Sequence, residues 1–123
     1  MTRVLIVDDA AFMRQLIRDA LEPLGFEIVA EAGNGRDALE RYRELRPDLI
    51  TLDIVMPEMD GLSTLEAIRA EDHQTPVIMV TAVDQRDSML RAMRLGIADF
   101  VVKPFDEDRI VSAVDKAVGR REA

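Results

Sequence analysis

The chain has 123 residues, a length that suits one folded domain, with a formal net charge of −8 and no cysteine. Disulfides, thiolate metal sites and cysteine nucleophiles are thereby excluded, and the acidic balance opposes sequence-independent binding to DNA or to anionic lipid. The longest uncharged stretch, HQTPVIMVTAV, falls well short of the ~20 apolar residues of a membrane helix, and no basic start with an apolar stretch precedes the first apolar run, which gives the expectation of a cytoplasmic protein.

In chain order, the first apolar run is RVLIV (3–7), which ends in two adjacent carboxylates, Asp8 and Asp9. Met13, Leu16, Ile17, Ala20, Leu21 and Leu24 then fall on one helical stripe, whose last turn Pro23 should kink or fray by removing a hydrogen bond. The second run, FEIVAEA (26–32), ends in GNG with no reactive side chain; the stripe Ala38, Leu39, Tyr42 and Leu45 follows it, stopped by Pro47. The third run, DLITLD (48–53), ends in Asp53 and leads to Leu62, Leu65 and Ile68. The fourth, PVIMVT (76–81), ends in Thr81 and leads to Met89, Ala92 and Met93, closed by Gly96. The fifth, DFVV (99–102), runs into Lys103 and Pro104 and then a stripe of Ile110, Ala113, Val114, Ala117 and Val118. Asp106, Glu107 and Asp108 crowd the start of that helix and Lys116, Arg120 and Arg121 its end, as the helix dipole favours.

Strand and helix therefore alternate five times, which predicts a parallel sheet covered by helices on both faces. Ligands in such sheets bind beyond the carboxyl ends of the strands. Four of those ends carry chemistry: Asp8 and Asp9, Asp53, Thr81, and Lys103. Gathered together, three carboxylates need protonation or a cation, and oxygen donors without histidine or cysteine favour Mg²⁺ or Mn²⁺ over Zn²⁺. With a lysine and a hydroxyl beside them, they form a phosphoryl-transfer site with a carboxylate nucleophile. Each piece alone has a blander reading, since acids after a strand often cap a helix and the one histidine, His73, suits a polar loop. Joint placement at one edge is what makes the reading specific.

VLIVDDAAFMR, LITLDIVMPEMDG, VIMVTA and DFVVKPF together resemble the receiver domain of two-component response regulators, the chemotaxis type in particular, across residues 3 to about 118. The resemblance implies one receiver domain over 1–123, a flavodoxin-like α/β (βα)5 three-layer sandwich with strand order 2-1-3-4-5, and a signalling role rather than that of an enzyme. It implies that Asp53 accepts a phosphoryl group from a histidine kinase. Asp9, Asp53 and the backbone carbonyl of Val55 would ligate Mg²⁺ (or Mn²⁺), with Asp8 acting through a water. Lys103 would pair with the phosphoryl group, Thr81 and the backbone amides of Val55 and Ala82 would hold it, and Thr81 with Phe100 would form the switch. The Lys103–Pro104 bond is usually cis in this family. A downstream protein would dock on the face of helix four, strand five and helix five, on a monomer or a phosphorylation-dependent dimer, without nucleic acid or membrane.

Three features depart from the family pattern. Phe100 lacks a tyrosine hydroxyl, Val55 and Val83 stand where some relatives are polar, and the sequence stops soon after helix five. A receiver cut from a larger regulator with a DNA-binding or enzymatic output domain is the alternative to a stand-alone regulator. A haloacid-dehalogenase-type phosphatase would need an acid where Val55 stands, and a flavin carrier would need a Gly/Ser/Thr-rich loop after strand one; neither is present.

Overall fold

The computed structural model describes residues 1–82 and 84–119. Its elements are β1 (Arg3–Val7), α1 (Ala11–Leu21), β2 (Glu27–Ala32), α2 (Gly35–Leu45), β3 (Leu49–Asp53), α3 (Gly61–Glu71), β4 (Val77–Ala82), α4 (Arg86–Leu95), β5 (Asp99–Lys103) and α5 (Glu107–Val118). The five strands form one parallel sheet in the order β2-β1-β3-β4-β5. This is the flavodoxin-like order expected, and it sets β1 beside β3.

The central strands are mostly apolar and almost wholly buried, as strands covered on both faces must be. Their period of two divides the side chains between two cores. Leu5, Val7, Ile50, Leu52, Val77 and Met79 pack with residues of α2 and α3 and with Ala92 of α4. Val4, Ile6, Leu49, Ile78, Val80 and Val101 pack with Ile17 and Leu21 of α1 and Ile110, Ala113 and Val114 of α5. Three helices, α2, α3 and α5, are started by side chains that accept the first unpaired amides. Asn34 accepts from Asp37 N at 2.8 Å, Asp60 from Ser63 N at 2.8 Å, and Asp106 from Arg109 N at 3.0 Å. These three have a structural role at helix ends, which separates them from the acids at the sheet edge.

Two stripe positions differ from expectation. After Leu21 the chain tightens into a 3-10 turn over Glu22–Leu24 that carries Pro23, and this rotation takes Leu24 off the buried face to 45% exposure. On α4 the buried arc centres on Ala92, flanked by the half-buried Met89 and Leu95. Met93 lies about 100° further round and is 53% exposed. Val83, Arg120 and Arg121 lie outside the described residues.

Among the described residues, the Thr51 hydroxyl is buried in β3 without a hydrogen-bond partner. A buried polar group left unpaired costs about 1–3 kcal/mol, whereas a methyl of the same shape costs nothing there. Thr51→Val is therefore expected to raise unfolding free energy in urea by about 1 kcal/mol, and a loss of stability would contradict the assignment of that hydroxyl as unpaired.

Candidate functional site

At the carboxyl edge of the sheet, β1 and β3 deliver Asp8, Asp9 and Asp53 so that one carboxylate oxygen of each lies within 4.8 Å of the others. Asp8 and Asp53 are buried and Asp9 is exposed, so the cluster opens to solvent on one side. Neither Asp8 nor Asp9 caps α1: its N-cap is Ala10, which has no side-chain cap bond. Asp8 instead accepts from Ala10 N through Oδ1 at 2.9 Å, a tight local turn at the end of β1. Its Oδ2 is buried without an aligned hydrogen bond and meets the Lys103 ammonium as an ion pair at 3.0 Å. Lys103, at the end of β5, reaches Asp53 Oδ2 at 3.4 Å, so one ammonium bridges both buried acids. The Lys103–Pro104 bond is cis.

Electrostatics follow from this crowding. Burial, then the Asp8 charge, pushes the Asp53 carboxyl up to about 6, against the pull of Lys103. Burial works against the Lys103 charge, yet Asp8 and Asp53 together hold its ammonium above the ordinary lysine value. One lysine is thus shared by two buried acids, with the charge of Asp9 nearby as a third. Two carboxylates at 4 Å repel by about 4 kcal/mol at an effective dielectric of 20, and a divalent cation would relieve that repulsion. The donor set fits such an ion: carboxylate oxygens only, two of the three acids sharing a single lysine, and an open approach past Asp9.

The segment after Asp53 is shaped to hold it in place. Ile54 and Met56 turn inward while Val55, two residues after Asp53, is 58% exposed. Met59 N bonds to Pro57 O at 2.7 Å across Glu58, whose φ is +66°. That three-residue turn is strained for a side-chain-bearing residue. Gly61 N then bonds back to Ile54 O at 2.8 Å, and a Cβ on Gly61 would overlap the Asp53 carbonyl oxygen. The start of α3 is therefore pressed against the backbone of Asp53. Thr81, wholly buried at the end of β4, donates to the Ala82 carbonyl at 3.1 Å rather than towards Asp53. Phe100 is half-buried against the α2/α3/α4 core, its carbonyl accepting from Arg109 at 2.7 Å.

Every residue expected at the strand ends lies at this edge, whereas Phe100 lies near the start of β5, three residues before Lys103. Sequence reasoning missed Gly61, Glu58 and Arg14, whose Nη1 donates to the Asp8 carbonyl at 2.7 Å. The MPEMDG stretch carried a signal, since Pro and Gly in so short a span mark a constrained turn. Arg14 carried none beyond its place on the polar side of a stripe.

Comparison with known proteins agrees with the geometry. The family profile described as "Response regulator receiver domain" matches residues 4–115. The chain is 51% identical over 116 residues to the chemotaxis protein CheY of Bacillus subtilis, covering 94% of this chain and 97% of that one. Among solved structures it is similar to the receiver domain of AraT from Geobacillus stearothermophilus, with TM-score 0.89, 34% identity, and 97% and 94% of the two chains covered. It is also similar to the CheX–CheY–BeF3–Mg²⁺ complex from Borrelia burgdorferi, with TM-score 0.88, 33% identity, and 93% and 87% covered.

The raised Asp53 value fixes a sign. Its folded carboxyl holds a proton more tightly than the unfolded one, so its contribution favours the fold below about pH 4 and is lost as pH rises through about 6. In metal-free buffer, Asp53→Asn should therefore be more stable than wild type by a margin that opens between pH 4 and 7 and levels at about 3 kcal/mol. Denaturant melts in EDTA across that range measure it; a margin that stays constant with pH would contradict the crowded, buried carboxyl.

Proposed function

Because this chain belongs to the response regulator receiver family and is a CheY-like signalling module, we propose that Asp53 is its phosphoacceptor, charged by the phosphohistidine of a histidine kinase. The observation that carries this reading is the convergence of Asp8, Asp9 and Asp53 within 4.8 Å, with Lys103 bridging the buried pair. Asp53 is the one acid of the three at the end of β3, with its carboxylate facing the lysine.

In the transfer, an Asp53 oxygen attacks phosphorus, the phosphorus–nitrogen bond of phosphohistidine breaks, and the imidazole nitrogen leaves with the electron pair. A Mg²⁺ or Mn²⁺ ion held by Asp9, Asp53 and the Val55 carbonyl, with Asp8 acting through a water, would neutralise charge on the phosphoryl oxygens. Lys103 exchanges one of its carboxylate partners for a phosphoryl oxygen. The amides of Val55 and Ala82 and the Thr81 hydroxyl bind the others, for which Thr81 must release the Ala82 carbonyl. The exposed Val55 side chain, two residues after Asp53, excludes water without orienting it and so prolongs the acyl phosphate.

Output follows from Thr81. Drawing its hydroxyl towards the phosphoryl group vacates space for the Phe100 ring, which reshapes the face of α4, β5 and α5. That face exposes Leu90 and Met93 among Arg86, Arg91 and Arg94 on an otherwise acidic protein; Glu66 neutralises Arg91 at 3.2 Å, which leaves Arg86 and Arg94 as the arginines of α4 without an ion-pair partner among the described residues, with the acidic Asp87 beside Arg86. We take residues 1–123 as one receiver domain acting in the cytoplasm. Its reading as a chemotaxis-like regulator that binds a downstream protein, as monomer or phosphorylation-dependent dimer, is supported by the two-sided coverage of CheY. No helix among the described residues is long and apolar enough to cross a membrane.

Acetyl phosphate with Mg²⁺ is expected to add one phosphoryl group, read by intact mass. Equal labelling of Asp53→Asn would overturn the assignment. Val55→Asn should shorten the phosphoryl half-life several-fold, by giving an attacking water a polar partner. Phe100→Ala should leave labelling nearly intact while removing the amide shift changes that phosphorylation brings to α4 and β5; unchanged shifts in the wild-type protein would exclude this route.

A further inference from the structure

The paired acids at the end of β1 stand on a loop, and the structure shows what holds that loop. Asp8 N donates to Ala32 O of β2 at 3.0 Å, and Asp8 Oδ1 accepts from Ala10 N at 2.9 Å. The remaining backbone group, the Asp8 carbonyl, accepts from Arg14 Nη1 at 2.7 Å. Arg14 is itself held from behind: its Nε donates to Glu31 Oε1 at 2.9 Å, and Glu31 stands beside Ile6 on the neighbouring strand. The other oxygen of Glu31 accepts from Arg18 Nε at 2.8 Å, so the carboxylate is fixed on both sides. Arg14 and Glu31 are each about three-quarters buried. No hydrogen bond restrains the exposed Asp9 side chain among the described residues, so the backbone at Asp8–Asp9 is what sets the direction in which that side chain leaves the chain.

We propose that the Glu31–Arg14 pair is a positioning brace for the cation site, fixing the Asp8–Asp9 peptide so that Asp9 is aimed at the ion. Neither residue would ligate the ion, since both lie outside the Asp8, Asp9 and Asp53 cluster. The inference rests on the metal reading of the acidic cluster and deepens it. It also has a sign that separates it from simple charge. A guanidinium near three carboxylates repels a cation, so removing Arg14 for its charge alone would tighten Mg²⁺ binding. Removing it as a brace weakens binding, as loss of an outer-shell partner typically does by about 10-fold or more.

The test is Mg²⁺ titration of the folded, unphosphorylated full chain by calorimetry, with circular dichroism to show that each variant is folded at the working temperature. Arg14→Gln is expected to bind Mg²⁺ about 10-fold more weakly. Arg14→Lys keeps the charge and the stem and serves as the second variant if circular dichroism shows Arg14→Gln unfolded; it should also bind several-fold more weakly, because one ammonium lacks the fork that spans Glu31 and the Asp8 carbonyl. Arg18→Gln loses the same charge from the same carboxylate without touching Asp8, and should leave affinity unchanged or slightly tighter. Wild-type affinity in Arg14→Lys, unchanged or tighter binding in Arg14→Gln, or an equal loss in Arg18→Gln would each overturn the brace. A wild-type chain that binds no Mg²⁺ overturns the metal reading and the brace with it, whereas failure of the brace alone leaves wild-type binding intact.

Discussion

Three carboxylates share one edge of a buried sheet, and their mutual repulsion is the constraint that the rest of the site answers. β1 and β3 are neighbours because the strand order places them side by side, so acids at their ends cannot avoid each other. Burial of Asp8 and Asp53 removes the water that would have screened them. Lys103 offsets part of the resulting cost from the end of β5, and the rest is left for a cation or a proton. An arrangement that is unstable when empty and fully ionised is well suited to bind an ion and then a phosphoryl group, because each ligand relieves what the fold has imposed.

The backbone around the acids is correspondingly overdetermined. The strained Glu58 turn, the close approach of Gly61 and the fixing of the Asp8 peptide all act on main chain rather than on the reacting groups. They hold the carboxylates where repulsion would otherwise spread them. Thr81 and Phe100 are held less firmly. The Thr81 hydroxyl has one bond, to a neighbouring carbonyl at 3.1 Å, and Phe100 is only half-buried at the edge strand. Rigidity at Asp53 and looseness at Thr81 and Phe100 give the molecule one firm end and one movable end, which a switch requires.

Much of this was legible in the sequence because it rests on period and position. Strand runs read correctly to within a residue since each is a short, mostly apolar run rich in β-branched residues, and the acids, Thr81 and Lys103 were identifiable as strand ends. What was not legible depends on tertiary contact. Met93 fits a stripe by spacing, yet the arc that meets the core centres on Ala92. Leu24 fits by spacing too, until Pro23 tightens the turn beneath it. Gly61 is an ordinary helix-start glycine until the Asp53 carbonyl is seen against it. Arg14 is one of several arginines, and only the meeting of α1, β1 and β2 distinguishes it.

The measurement that bears most directly on the crowded-carboxylate account is a carbon-detected NMR titration of the Asp53 side-chain carboxyl in metal-free buffer. The expected midpoint is near 6, as burial and the Asp8 charge require, with a fall towards the ordinary aspartate range when saturating Mg²⁺ is added. A metal-free midpoint near 4 that does not respond to Mg²⁺ would contradict it.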